Sequence, residues 1–151
     1  MAITDTLADG TSITTYYDGS TISRDASDNI ITRCDPLASD GSLTCTDEAS
    51  QAVTITYSDG SSLITNADGS TVSKDSSGNT TETCAVPDPD GSVACTDTAT
   101  LAVTITQTDG TYTIYYADGS TVSKDAIGNT VETCLVPDSI DGSQECTVTA
   151  T

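Results

Sequence analysis

The eight residues DGSTVSKD stand at Asp68–Asp75 and again at Asp118–Asp125, and DGSTISRD takes their place at Asp18–Asp25. Aligning the chain on this octapeptide resolves it into three units, 1–50, 51–100 and 101–151, the first the most divergent. Cys34, Cys84 and Cys134 fall in step, as do Cys45 and Cys95. Cys146 comes one residue late, because the third unit has an extra residue between Pro137 and Asp141. A period of this size is the signature of tandem architecture, in which one supersecondary unit cannot bury an apolar face alone.

Punctuation inside each unit points to strands. The second unit turns at Asp59-Gly60, Asp68-Gly69, Gly78-Asn79 and Asp90-Gly91. Asp-Gly predicts type I′ hairpin turns and Gly-Asn type II′. Between them lie Thr/Val/Ile/Ser runs such as AVTITYS and SSLITNA, where period two has no helical competitor. Val53, Ile55 and Tyr57 share one face, as do Tyr112, Ile114 and Tyr116. Each unit reads as a four-stranded antiparallel meander in an all-β, disulfide-stapled chain. The alternative is a β-solenoid. It would stack equivalent aspartates at ~4.8 Å, where like charges repel, whereas a meander separates them by ~19 Å, beyond a Debye length of ~8 Å.

A net charge of −19, from 23 acidic and 4 basic residues, excludes nucleic acid and anionic membrane surfaces as partners. No apolar run is long enough for a transmembrane helix, and MAITDTLADG lacks the basic start and apolar stretch of a signal peptide. Apolar residues make up 35% of the chain, with no Phe or Trp, so a thick core is not expected. A thin sheet of this kind has to shelter its apolar face against another unit or subunit. The end strands, around Ile3–Leu7 and Thr147–Thr151, carry no Pro or Lys to blunt them. Open edges favour head-to-tail association.

Six cysteines without histidine favour disulfides, an oxidising compartment and hence an extracellular location, and argue against zinc. Cys34 with Cys45, Cys84 with Cys95, and Cys134 with Cys146 each flank a loop bearing Pro and Asp-Gly. Pairing within a unit closes a short loop and contributes ~3 kcal/mol per bond. Crosslinks between units or subunits are the competing reading. Asp88 and Asp90, and likewise Asp138 and Asp141, are candidate calcium ligands, set against the simpler role of capping their own turns. Asn79-Thr80-Thr81 is a glycosylation sequon that makes attached sugars a candidate feature. Lys74, Asn79 and Glu82, repeated as Lys124, Asn129 and Glu132, loosely resemble the isopeptide triad of bacterial pilins and adhesins; the first unit, with Arg24 and Thr32, lacks it. Without histidine, a phosphate loop or a distinctive carboxylate pair, no catalytic residues and no obligatory cofactor are expected.

The Tyr/Asp-Gly hairpins YYDGSTISRD and YYADGSTVSKD resemble the hairpin repeats of microbial surface proteins, although those carry more aromatics and a shorter period. The Thr/Ser/Asp/Gly-rich, histidine-free composition resembles the sheath and amyloid-like fibre proteins of methanogenic archaea. These resemblances imply a structural subunit of a self-assembling extracellular filament or sheath, whose partners are copies of itself in a homopolymer at the cell surface. The alternative is a stalk or spacer of an adhesin or phage fibre that binds a receptor or glycan.

Overall fold

The computed structural model describes residues 2–149. These form an all-β open antiparallel sheet of fifteen strands, without helices, whose spatial order follows chain order. The strands are β1 (Ile3–Thr6), β2 (Ser12–Thr15), β3 (Thr21–Arg24), β4 (Ile30–Cys34), β5 (Leu43–Asp47), β6 (Val53–Thr56), β7 (Ser62–Thr65), β8 (Thr71–Lys74), β9 (Thr80–Cys84), β10 (Val93–Asp97), β11 (Val103–Thr106), β12 (Tyr112–Tyr115), β13 (Thr121–Lys124), β14 (Thr130–Cys134) and β15 (Cys146–Val148). Two compact units divide between Thr80 and Thr81. The sequential order is that of a meander. At the ends, β1 falls within the first expected end segment and β15 overlaps the second at Thr147 and Val148; Ala150 and Thr151 lie outside the described residues.

Five strands, not four, occupy each stretch of fifty residues. The extra turn was hidden because it contains no glycine. After β5 and again after β10 the chain reverses through Glu48–Gln51 and Thr98–Leu101, with Gln51 and Leu101 left-handed at φ 57° and 58°. Asp47 secures the first of these turns: its carboxylate accepts the backbone N–H and the hydroxyl of Ser50, both at 2.7 Å. Asp97 holds Thr100 in the same way.

The Asp-Gly turns differ from the expected type I′. Type I′ needs two left-handed residues, yet in Asp9-Gly10 only the glycine has positive φ, at 87°. Leu7 O accepts the Gly10 N–H at 3.0 Å, and the Leu7 N–H reaches Thr11 O at 2.8 Å. This is a type I turn closed by one left-handed residue, whose twist matches the flanking strands. Gly78-Asn79 uses the same plan rather than type II′: Gly78 N–H donates to Asp75 O, and Asp75 N–H to Asn79 O. In the first unit Asp28, at φ 68°, fills the place of Gly78.

Cross-strand register decides which side chains share a face. In the first compact unit one row runs Ile3, Thr15, Thr21, Cys34, Cys45, Thr54, Ile64 and Val72. The other face carries Thr4, Thr14, Ile22, Arg33, Thr46, Val53, Thr65 and Thr71. Ile3 thus shares a face with Cys45, while its counterpart Val53 lies on the opposite side. The repeat turns over as it advances. In the second compact unit Cys84 and Cys95 align with Thr104, Ile114 and Val122, and Cys134 and Cys146 lie on the other face with Thr121, Tyr115 and Val103.

Apolar residues are therefore divided between both faces, and neither face receives a second layer among the described residues. Ala102 and Cys134 are the only buried apolar residues described, joined by the polar Ser92, and no side chain is fully buried. The accessible surface is 9630 Å², against about 7,200 Å² expected for a compact monomer of 15.4 kDa. Within each compact unit the described residues supply no second layer. The sheet relies instead on facing side-chain pairs, each contributing about 0.2–1 kcal/mol, on its turns, and on disulfides. The bridges join Cys34 to Cys45, Cys84 to Cys95, and Cys134 to Cys146, every pair directly opposed across adjacent strands.

Candidate functional site

The acidic turns are built from their own backbone. Asp18 Oδ1 accepts the Ser20 hydroxyl at 2.7 Å and the Ser20 N–H at 3.0 Å, and Asp59 with Ser61, Asp68 with Ser70 and Asp118 with Ser120 repeat the pattern. These donors favour the carboxylate, so each of the four is held below the ordinary 3.8, the Ser hydroxyl being the largest cause.

The calcium candidates are engaged in the same manner. Asp90 Oδ1 accepts the Ser92 N–H at 2.9 Å, Asp138 Oδ1 the Ile140 N–H at 2.7 Å, and Asp141 Oδ1 the Ser143 N–H at 2.8 Å. Asp88 O accepts the Gly91 N–H at 2.7 Å, closing the turn that holds Asp90. Among the described residues these four aspartates form no ligand cluster. The groups close enough to share an ion are Glu82 with Cys84 and Cys95, and Glu132 with Cys134 and Cys146. Their sulfurs are bonded to each other and offer no thiolate.

At the sequon, Asn79 Nδ2 donates to Asp75 Oδ2 at 2.9 Å, so the nitrogen that would carry a sugar is committed to the turn. Asn129 Nδ2 is held by Asp125 in the same way, while Lys124 Nζ donates to Gly128 O at 3.2 Å. Two members of the second isopeptide triad are thus occupied with turn backbone.

Sequence reasoning missed a row on the open face of the second compact unit. Val103 faces Tyr115, and Tyr115 faces Thr121. Ile105 lies two residues along β11 on the same side. Tyr115 is 45% exposed. Tyr112 points to the opposite face, its hydroxyl near the Gly128 turn. The row offers an aromatic ring flanked by the β-branched side chains of Val103 and Thr121. Chemically it suits docking rather than turnover. Its signal in the sequence was the pair Val103 and Tyr115, legible only once the register was known.

A single-layer antiparallel meander, stapled at facing positions, is the class of fold these observations define. No protein-family profile matches the chain, and no curated protein sequence matches it. Among solved structures, the TCP10c domain of Drosophila melanogaster Sas-4 matches at a TM-score of 0.56 and 18% identity, over 99% of this chain and 100% of that one. The G-box domain of the microcephaly protein CPAP, for which a role in centriole elongation has been suggested, matches at 0.57 and 18% over the same shares. The Drosophila Sas-4 TCP domain in complex with a proline-rich motif of Ana2 matches at 0.45 and 17%, over 85% of this chain and 86% of that one. At these identities the likeness is one of fold.

These findings overturn the resemblance to microbial hairpin repeats and methanogen sheaths. Asp-Gly turns and Thr-rich strands are what any one-layer meander needs, so composition could not tell one such protein from another. The readings built on that resemblance fall with it: the extracellular filament or sheath subunit, the adhesin or phage-fibre stalk, and the cell-surface location. The homopolymer falls with the same resemblance, since the solved structures that share this fold are domains of Sas-4 and CPAP and not sheath or fibre subunits. The cysteines misled because directly opposed positions explain their pairing by register, with no reference to a compartment. Attached sugars lose their support with the extracellular reading and with the tethered Asn79.

Proposed function

We propose that this chain is a non-catalytic binding module that presents its open sheet to an extended, proline-rich segment of another protein. One observation carries the reading: Tyr115, 45% exposed and facing the half-buried Val103, stands on a sheet to which the described residues add no second layer. Proline-rich segments dock on exposed aromatic side chains because their extended helix is preformed and loses little entropy on binding. Support also comes from the fold shared with the Sas-4 TCP10c domain, a protein whose TCP domain takes a proline-rich motif of Ana2. Carboxylates that cap turns are held ionised by their donors, as at Asp97, where the Thr100 hydroxyl and N–H lower its pKa, and this does not suit them to general-acid duty.

Isothermal titration with a proline-rich peptide tests this. Saturable binding is expected, weakened about tenfold or more by Tyr115→Ala and left unchanged by Tyr17→Ala, a tyrosine 93% exposed in a turn of the other compact unit. No saturable binding, or equal loss in both variants, overturns the proposal.

A further inference from the structure

The disulfides coincide with the strand pairs whose connections are longest. Most neighbouring strands are joined by five-residue turns such as 7–11, 57–61 and 107–111, and they share four facing pairs. In contrast, β4–β5 and β9–β10 are joined through eight residues, 35–42 and 85–92, and β14–β15 through eleven, 135–145. Each of these three ladders has three facing pairs, one of them the cystine itself, and beyond the cystine the pairing continues through single backbone bonds, Asp35 N–H to Thr44 O, Ala85 N–H to Ala94 O and Leu135 N–H to Glu145 O. The bridges are also open to attack. A one-layer sheet cannot wrap its cystines in a core: Cys34, Cys45, Cys84 and Cys95 are partly exposed, and Cys146 is exposed although Cys134 beside it is buried.

We propose that the three bridges are redox-addressable joints. A dithiol reductant opens them in the folded protein, and opening loosens β4–β5, β9–β10 and β14–β15 while the five-residue hairpins stay paired. At the exposed bridge the reductant's thiolate attacks Cys146 Sγ. The S–S bond breaks, and the electron pair leaves on Cys134 Sγ, which takes up a proton. The reductant's second thiol, as thiolate, then attacks its own sulfur in the mixed disulfide and releases Cys146 as the second thiol. Two electrons and two protons pass to the protein, and the dithiol becomes a disulfide. The device is independent of the peptide-binding reading, because it acts at the long connections and not at Tyr115.

The test is dithiothreitol at neutral pH without denaturant, followed by iodoacetamide trapping, circular dichroism and hydrogen exchange of the full chain. All six cysteines are expected to alkylate while the β signal persists. Amide exchange in 43–47, 93–97 and 146–148 should quicken about ten- to a hundredfold, while 62–74 and 112–124 stay protected. Alkylation only after denaturant, an unchanged exchange pattern, or a uniform rise along the chain overturns the proposal. The paired variant Cys34→Ser with Cys45→Ser gives a second reading without reductant. Exchange should rise at β4–β5 alone, and a rise spread over the whole first compact unit contradicts the joint.

Discussion

Asp75 holds Asn79 through both carboxylate oxygens: Oδ1 accepts the Asn79 backbone N–H at 2.9 Å and Oδ2 accepts Nδ2 at 2.9 Å. Asp25 with Asn29 and Asp125 with Asn129 form the same clasp. One carboxylate thereby takes donors that a five-residue turn would otherwise leave to water. In a sheet without a core, such clasps help determine where the chain reverses.

The clasp makes a pH prediction for Asp75→Ala. The Asn79 side-chain amide, followed by its backbone N–H, holds the Asp75 carboxyl below 3.8. The folded state therefore binds its proton at lower pH than the unfolded chain does. The stabilisation is fully present above the unfolded pKa and is lost as pH falls through the folded one. The gap in melting temperature between the parent and Asp75→Ala should be widest near neutral pH and shrink below about pH 4. Thermal melts in a pH series check this; a gap of constant size down to pH 2 contradicts the assigned cause.

Leu101→Gly should stabilise the protein. Leu101 is left-handed at φ 58° and 64% exposed, so it bears backbone strain while burying little. A left-handed non-glycine residue costs about 1–2 kcal/mol, and glycine's extra freedom in the unfolded chain returns about 0.5–1 of that. The net gain expected in urea denaturation is about 0.5–1 kcal/mol.

Gly91→Ala and Gly19→Ala separate conformational strain from crowding. Both glycines are left-handed, at φ 85° and 91°. A Cβ at Gly91 would meet Thr108 Cγ2 at 2.6 Å, whereas nothing lies within 4 Å of one at Gly19. Gly19→Ala should cost about 1 kcal/mol and Gly91→Ala about 2, the difference being the displacement of Thr108. Equal losses in denaturant melts would remove the crowding contribution.

Much of the sheet was legible from residue chemistry, and the unread parts have identifiable causes. Asp59-Gly60 and Asp68-Gly69 marked turns because glycine accepts φ > 0. The turns at Gln51 and Leu101 were invisible because those side chains do not advertise a left-handed backbone, so one strand in five went uncounted. The same miscount hid the turning-over of the repeat. With five strands per unit, Ile3 and Val53 run on antiparallel strands and register sets them on opposite faces, so no single apolar face could be read from Val53, Ile55 and Tyr57. The Tyr115 row depends on pairing across β11 and β12, which local periodicity does not encode.

The missing core has a calorimetric consequence. Heat-capacity change on unfolding tracks the apolar surface newly exposed, at about 12–15 cal/mol/K per residue in ordinary domains. For 151 residues that scale gives about 1.8–2.3 kcal/mol/K. Here Ile3, Leu7, Val148 and Tyr17 are already more than half exposed in the folded state, and among the described residues no side chain is fully buried. Unfolding therefore has less apolar surface left to hydrate. Differential scanning calorimetry of the oxidised protein should return a heat-capacity change below about 1.8 kcal/mol/K, and the urea m-value should fall below that of compact domains of equal length for the same reason. A value within or above the ordinary range would mean that both faces are covered in solution, which a one-layer sheet standing alone does not allow.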